Sequence, residues 1–162
     1  MRTPYSTAMH VLRIMLLAIF VIPVGPSAAF PPAGSQDLPT LQTHANQGNA
    51  EAQNGLGELY AKGKGMPQDY VQARTWYEKA AAQGHPHAQN NLAELYFAGL
   101  GGSPDYVRAY MWVTLAAEHM QGEEKKQAEE NRDDVAQRMT PAQITEAKRL
   151  SEQCRSKKFR GC

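Results

Sequence analysis

Apolar positions in the middle of the chain recur with the period of a helix. Ala52, Leu56, Leu59 and Tyr60 fall at i, i+4, i+7 and i+8, which is one face of an α-helix. Tyr70, Ala73, Trp76, Tyr77, Ala80 and Ala81 form a second such face shortly afterwards. Alternation of period two is nowhere sustained, so no sheet is expected. The whole pattern then returns. Residues 48–83 align without a gap on residues 84–119, and 17 of the 36 positions are identical. The matches include Leu56/Leu92, Tyr60/Tyr96, Asp69/Asp105 and Trp76/Trp112. A fixed period of roughly 20–50 residues is the signature of a solenoid, in which stacked units bury faces that none can bury alone. The alanines let helix axes approach, and the tryptophan and tyrosines fill the space between pairs.

The polar and glycine positions supply the punctuation. Gly63 and Gly99 follow the first helix of each unit, where a left-handed residue without a β-carbon is favoured. Asp69 and Asp105 stand where the second helix begins and are expected to cap its free N–H groups. Gln72, three residues after Asp69, completes the spacing of a capping box, whereas the second unit carries Arg108 there. Gly48 and Gly84 close the helix before each unit. A phosphate-cradling glycine loop follows a strand. Here a helix precedes it, so Gly63-Lys64-Gly65 reads as a corner between helices.

These residues resemble the Sel-one-like repeat family. The resemblance rests on Ala52-Gln53, Leu56-Gly57, Tyr60, Gly63, Gly65, Asp69-Tyr70, Ala73, Trp76-Tyr77 and Ala80-Ala81. The second unit repeats the set with two departures: Ala93 replaces the mid-helix glycine and Val113 replaces the tyrosine. The resemblance implies an all-α fold, a right-handed α-solenoid of helical hairpins related to tetratricopeptide repeats.

Two units alone seldom bury enough surface, since about three or more repeats are usually needed. Flanking helices are therefore expected. Residues 38–48 look like a degraded second helix of an earlier unit, and residues 123–138 like a charged helix. In the last helix Thr140 is the expected N-cap, Pro141 the first-turn residue and Gln143 the capping-box partner. Met139 and Ile144 hold the staple positions, and family members often end on a similar Met-Thr-Pro-x-Gln-Ile segment. Before the repeats, Ile14 to Val24 is an apolar run of 11 residues, within the roughly 7–15 of a signal-peptide core and short of the roughly 20 that span a bilayer. Small residues follow, and cleavage is expected after Ala29. The expected organisation is a signal peptide over 1–29, a proline-rich linker over 30–39 and a solenoid over 40–154. Its repeats lie at 48–83 and 84–119 and its C-terminal cap at 120–154, followed by a basic tail over 155–162. A periplasmic or secreted location follows, with no membrane span after cleavage; an uncleaved inner-membrane anchor is the alternative.

Charge narrows the function classes. Removing Arg2 and Arg13 with the leader leaves 15 basic residues against 16 acidic ones. That balance provides no field for nucleic acid. Residues 118–134 are mainly acidic and residues 148–160 mainly basic, which suits a solvated, charge-balanced cap. Cys154 and Cys162 are the two cysteines; in an exported protein such a close pair is expected to form a disulfide, of modest benefit if it ties only a tail. His85-Pro86-His87 lacks neighbouring ligands, so no metal is expected; Pro86 reads as the start of a helix with both histidines on its exposed first turn. No HExxH, GxSxG, CxxC or SxxK occurs, and no cofactor or catalytic residue is expected. Some exported, cysteine-rich members of the family are described as β-lactamase-like, which makes a β-lactamase-like or cell-wall hydrolase the alternative. The repeated cysteine pairs of those relatives are missing here. The preferred reading is a non-catalytic scaffold for a protein or peptide partner. Its candidate binding residues are Asn54, Glu58, Asn90 and Glu94, paired at i, i+4 on successive first helices, the expected concave side. Their competing role is to buttress the helix pairs.

Overall fold

The computed structural model describes residues 37–162. The segment read as a signal peptide, and the linker up to residue 36, lie outside the described residues. Among the described residues are seven α-helices and no strand. They are α1 (Leu38–Asn46), α2 (Ala50–Lys62), α3 (Tyr70–Ala81), α4 (Pro86–Ala98), α5 (Tyr106–His119), α6 (Gly122–Ala136) and α7 (Pro141–Ser156). Leu38 and Pro39, assigned above to the linker, are already helical.

Helices α2–α3 and α4–α5 form the two repeat hairpins, and α4 packs on α3 as α2 packs on α1. The tryptophans show how regular this stacking is. Trp76 is buried with Ala45, Ala52 and Leu56. Trp112 belongs to a core that contains Ala81, Ala88 and Leu92, the residues 36 positions further on. Helix α1 therefore acts as the second helix of a preceding unit, with Leu41 in the place of Tyr77. Leu56, Leu92 and Leu115 are completely enclosed. Each such side chain contributes about 1.5–3 kcal/mol through burial.

The helix ends follow the glycine and aspartate positions. Gly63 and Gly99 adopt φ of 65° and 69°, and their N–H groups donate to the carbonyls of Leu59 and Leu95. Asp69 accepts from the N–H groups of Val71 and Gln72 at 2.9 and 3.0 Å. The expected capping box with Gln72 does not form. The Asp69 N–H instead donates to the Tyr60 carbonyl at 3.0 Å, and Asp105 N–H to that of Tyr96 at 2.9 Å. The donor that a box would satisfy is already engaged in closing the loop, which explains why Arg108 can stand at Gln72's position.

At the other end α6 and α7 both pack against α5. Charged α6 is seated by buried Ala128 and Val135, with Ala136 partly buried beside them. The capping box of α7 forms as expected: Thr140 Oγ1 accepts from Gln143 N–H at 3.3 Å, and Gln143 Oε1 accepts from Thr140 N–H at 2.8 Å. Small residues Ala147, Ser151 and Cys154 make its buried stripe, and Ser151 Oγ is satisfied by the Ala147 carbonyl at 2.9 Å. Cys154 and Cys162 are joined, with Cα atoms 5.4 Å apart. The bond does more than tie a loose tail. It folds residues 157–162 back so that the Phe159 ring lies on Gly84 and edge-on to His119, centroids 5.8 Å apart. Arg155, assigned above to the basic tail, belongs to α7, and its Nε donates to Glu118 Oε2 at 3.1 Å.

Candidate functional site

The four candidate residues lie on α2 and α4, as the repeat spacing requires. Within each helix the amide reaches one turn along to its acid. Asn54 Nδ2 donates to Glu58 Oε1 at 3.1 Å, and Asn90 Nδ2 to Glu94 Oε1 at 2.9 Å. The surroundings of the two pairs differ. Asn54 is buried, and its oxygen accepts from Asn91 Nδ2 at 3.1 Å, so it ties α2 to α4. The position 37 residues after Asn90, which would repeat that tie, holds Gln127, whose amide donates to Asn131 at 3.2 Å instead. Asn90 Oδ1 is consequently enclosed without a hydrogen-bond partner. Glu58 is half-buried and shared with Lys62 at 2.7 Å. Of the four, Asn54 buttresses the repeats, while Asn90 and Glu94 face an opening.

A second polar tie behaves in the same way. Gln53 and Gln89 are buried and donate to the carbonyls of Ala45 and Ala81, at 3.1 and 3.3 Å, at the end of the preceding helix. Gln53 Oε1 receives Gln83 Nε2 at 2.7 Å. His119 stands at the equivalent place in the second repeat; its Nδ1 lies 3.1 Å from the Leu115 carbonyl and its ring meets Phe159 edge-on. Gln89 Oε1 is left without a partner.

The apolar departures between the repeats coincide in space. A Cβ on Gly57 would lie 2.6 Å from the Tyr77 ring, so the glycine is what lets the ring settle against α2. Burial, with the carboxylates of Glu58 and Glu94 adding to it, pushes the Tyr77 pKa well up, so the phenol stays protonated. Ala93 and Val113, which replace this pair, are both buried and line a cavity of about 130 Å³ between α4, α5 and α6. Phe97 and Val135 complete its apolar wall, and Asn90, Glu94, Asn131 and Asp134 its polar side. Much of Glu94 is exposed, yet burial around its carboxyl raises its pKa, an effect opposed by the Asn90 bond.

The histidines are placed differently from the sequence expectation. His85 is not on an exposed first turn but is the N-cap of α4, its Nδ1 accepting Ala88 N–H at 3.2 Å while Nε2 meets Glu51 at 2.8 Å. Pro86 follows at the helix start. Of the pair, only His87 is exposed. Among the described residues no cluster of three or more His, Cys, Asp or Glu side chains is arranged to hold a metal ion. Among the same residues no helix is long and apolar enough to cross a membrane.

The family model described as Sel1 repeat matches residues 50–85 and 86–119. A solved Sel1 repeat protein from Oxalobacter formigenes is 37% identical, with a TM-score of 0.53, over 57% of this chain and 69% of its own. The chain belongs to the Sel1 repeat family. A protective antigen of uropathogenic Escherichia coli displaying an SLR fold is 33% identical, with a TM-score of 0.67 over 75% of this Sel1 repeat chain. The chain spans only 26% of that antigen's length. No curated protein matches. The Sel1 match places the two repeats within two residues of the boundaries read from the internal alignment, and the fold is that of a helical-repeat scaffold. Of the residues that tie one Sel1 unit to the next, Asn54 was named at the sequence level with buttressing as its competing role, while Gln53, Gln83, Gln89 and Asn91 were given no such role. Their signal was available in Asn91 and Gln83, polar residues that break the identity between the repeats.

Proposed function

We propose that this Sel1 repeat protein is an exported, non-catalytic scaffold that holds a protein or peptide partner along its first-helix side. One observation carries the reading. Asn90 and Glu94 project from α4 beside a hollow facing α6, and the Asn90 carbonyl oxygen there has no partner within the protein. A prefolded helical surface with an unsatisfied acceptor beside a hollow suits recognition by shape and hydrogen bonding, because little ordering entropy is lost on binding. Asn54 and Glu58 serve the same side as support.

The test is cross-linking in envelope extracts with the full chain, the Asn90→Ala/Glu94→Ala variant and an Arg149→Ala control on the far helix. A cross-linked partner retained by the control and lost with the double variant, at equal helicity, supports the reading. Equal recovery with all three removes it. Export is checked by sequencing the amino terminus of the protein recovered from the periplasm, expected at Phe30. Turnover of nitrocefin by the purified chain would contradict the non-catalytic assignment.

A further inference from the structure

We infer that the cavity between α4, α5 and α6 is a receptor for a tyrosine side chain, presented by a partner peptide with a basic residue beside that tyrosine. The template is inside the molecule. In the first repeat a tyrosine ring, Tyr77, sits against Gly57 with its hydroxyl near the carboxylates of Glu58 and Glu94. In the second repeat Val113 takes the tyrosine's position and Ala93 the glycine's. The ring is missing, the Ala93 methyl takes part of its place against α4, and a cavity of about 130 Å³ remains on the α6 side, lined by Asn131, Asp134 and Val135. A space of about 150 Å³ with apolar walls admits a benzene ring. The polar side of the space is also preserved. Glu94 stands where Glu58 stands in the first repeat, and Asp134 supplies a carboxylate from the next helix, as Glu94 does for Tyr77.

The charged groups of the cavity lining are two carboxylates, Glu94 and Asp134, with no cation. Its occupant must therefore bring donors. Asn90 lines the cavity, and its oxygen, which has no other partner, meets a phenol hydroxyl once the enclosed amide turns toward the occupant. Outside the cavity, Glu123 and Glu124 line the adjoining hollow that shares Asn90. Glu123 is paired with Lys126 at 3.4 Å, whereas Glu124 has no ion pair among the described residues, and its charge suits a lysine or arginine next to the tyrosine. The inference rests on the first-helix side being the docking side, and adds the chemistry of what docks there.

The test needs no natural partner. p-Cresol, the tyrosine side-chain analogue, is titrated into the full chain while the methyl resonances of Ala93 and Val113 are followed. Saturable shifts at the methyls of both residues are expected. The Ala93→Gly/Val113→Tyr variant restores the first repeat's pair and fills the space from within, so with helicity retained it should bind no p-cresol. Asn90→Leu should weaken p-cresol about three- to tenfold, the value of one neutral hydrogen bond, and leave toluene unchanged. This second variant decides the matter should the first not fold. Among acetylated, amidated tripeptides, Lys-Tyr-Lys should bind more tightly than Glu-Tyr-Glu, and Lys-Ala-Lys should not shift those methyls. Absence of shifts with p-cresol, binding that survives the filled cavity, or indifference of p-cresol to Asn90→Leu overturns the inference. None of those results touches the scaffold reading, which fails separately if the cross-linked partner is indifferent to Asn90→Ala/Glu94→Ala.

Discussion

The two repeats share their helices, their aspartate caps and nearly half their residues, yet one is closed and the other open. In the first, Tyr77 fills the hairpin against Gly57, and Asn54 and Gln53 each find a partner on a neighbouring element. In the second, Val113 and Ala93 leave a cavity, and Asn90 and Gln89 each keep an oxygen without a partner. All these differences arise from substitutions at equivalent positions. The lesson is that the identical residues build the frame, while the non-identical ones decide whether a unit is sealed.

The largest expected effect is on the sealed unit. Tyr77→Ala should lower stability by about 3–5 kcal/mol, the cost of removing a buried aromatic side chain, read from the urea midpoint. Val113→Ala should cost less, about 2 kcal/mol for two buried methyl-sized groups. If the two losses are equal, the repeats do not differ as described. Replacing Cys154 and Cys162 with alanine acts at the open unit's end and should cost about 2–3 kcal/mol for a loop this short. Loss of the Phe159–His119 contact in that variant would sharpen the comparison. Asn54→Ala should cost about 1–3 kcal/mol, because the half-buried Asn91 amide loses its acceptor, and Asn90→Ala under about 1 kcal/mol. Equal costs would mean that Asn54 does not tie the repeats. The smallest effect is on pH dependence. The folded-state pKa of Glu94 is raised by burial, so the folded protein binds the proton more tightly than the unfolded chain. Stability from this group is fully present below the ordinary carboxylate range and declines as pH rises through it to the raised value. Glu94→Gln should remove that slope from pH-dependent thermal melts.

Much of this was legible in the sequence. Period, helix faces, Gly63 and Gly99, the Asp69 and Asp105 caps and the Thr140–Gln143 box all follow from local rules, and local geometry decides them. The missing Asp69–Gln72 box was not legible, because a backbone carbonyl from another helix competes for the same N–H. His85 looked like surface chemistry because nothing in its spacing reveals that its ring replaces Asn49 as a cap. The candidate polar residues were found, but their division into buttress and unsatisfied acceptor depends on Asn91 and Gln127, whose amides reach in different directions. The docking of Phe159 depends on the return path imposed by the disulfide, which local pattern does not encode.

The central claim is that Ala93 with Val113 is the open counterpart of the packed pair Gly57 with Tyr77. A double-mutant cycle on Ala93→Gly and Val113→Tyr, followed by urea unfolding, tests it most directly. The account predicts that Val113→Tyr alone is destabilising, because the ring meets the Ala93 methyl, and that adding Ala93→Gly recovers about 1–3 kcal/mol. Strict additivity of the two changes would contradict it.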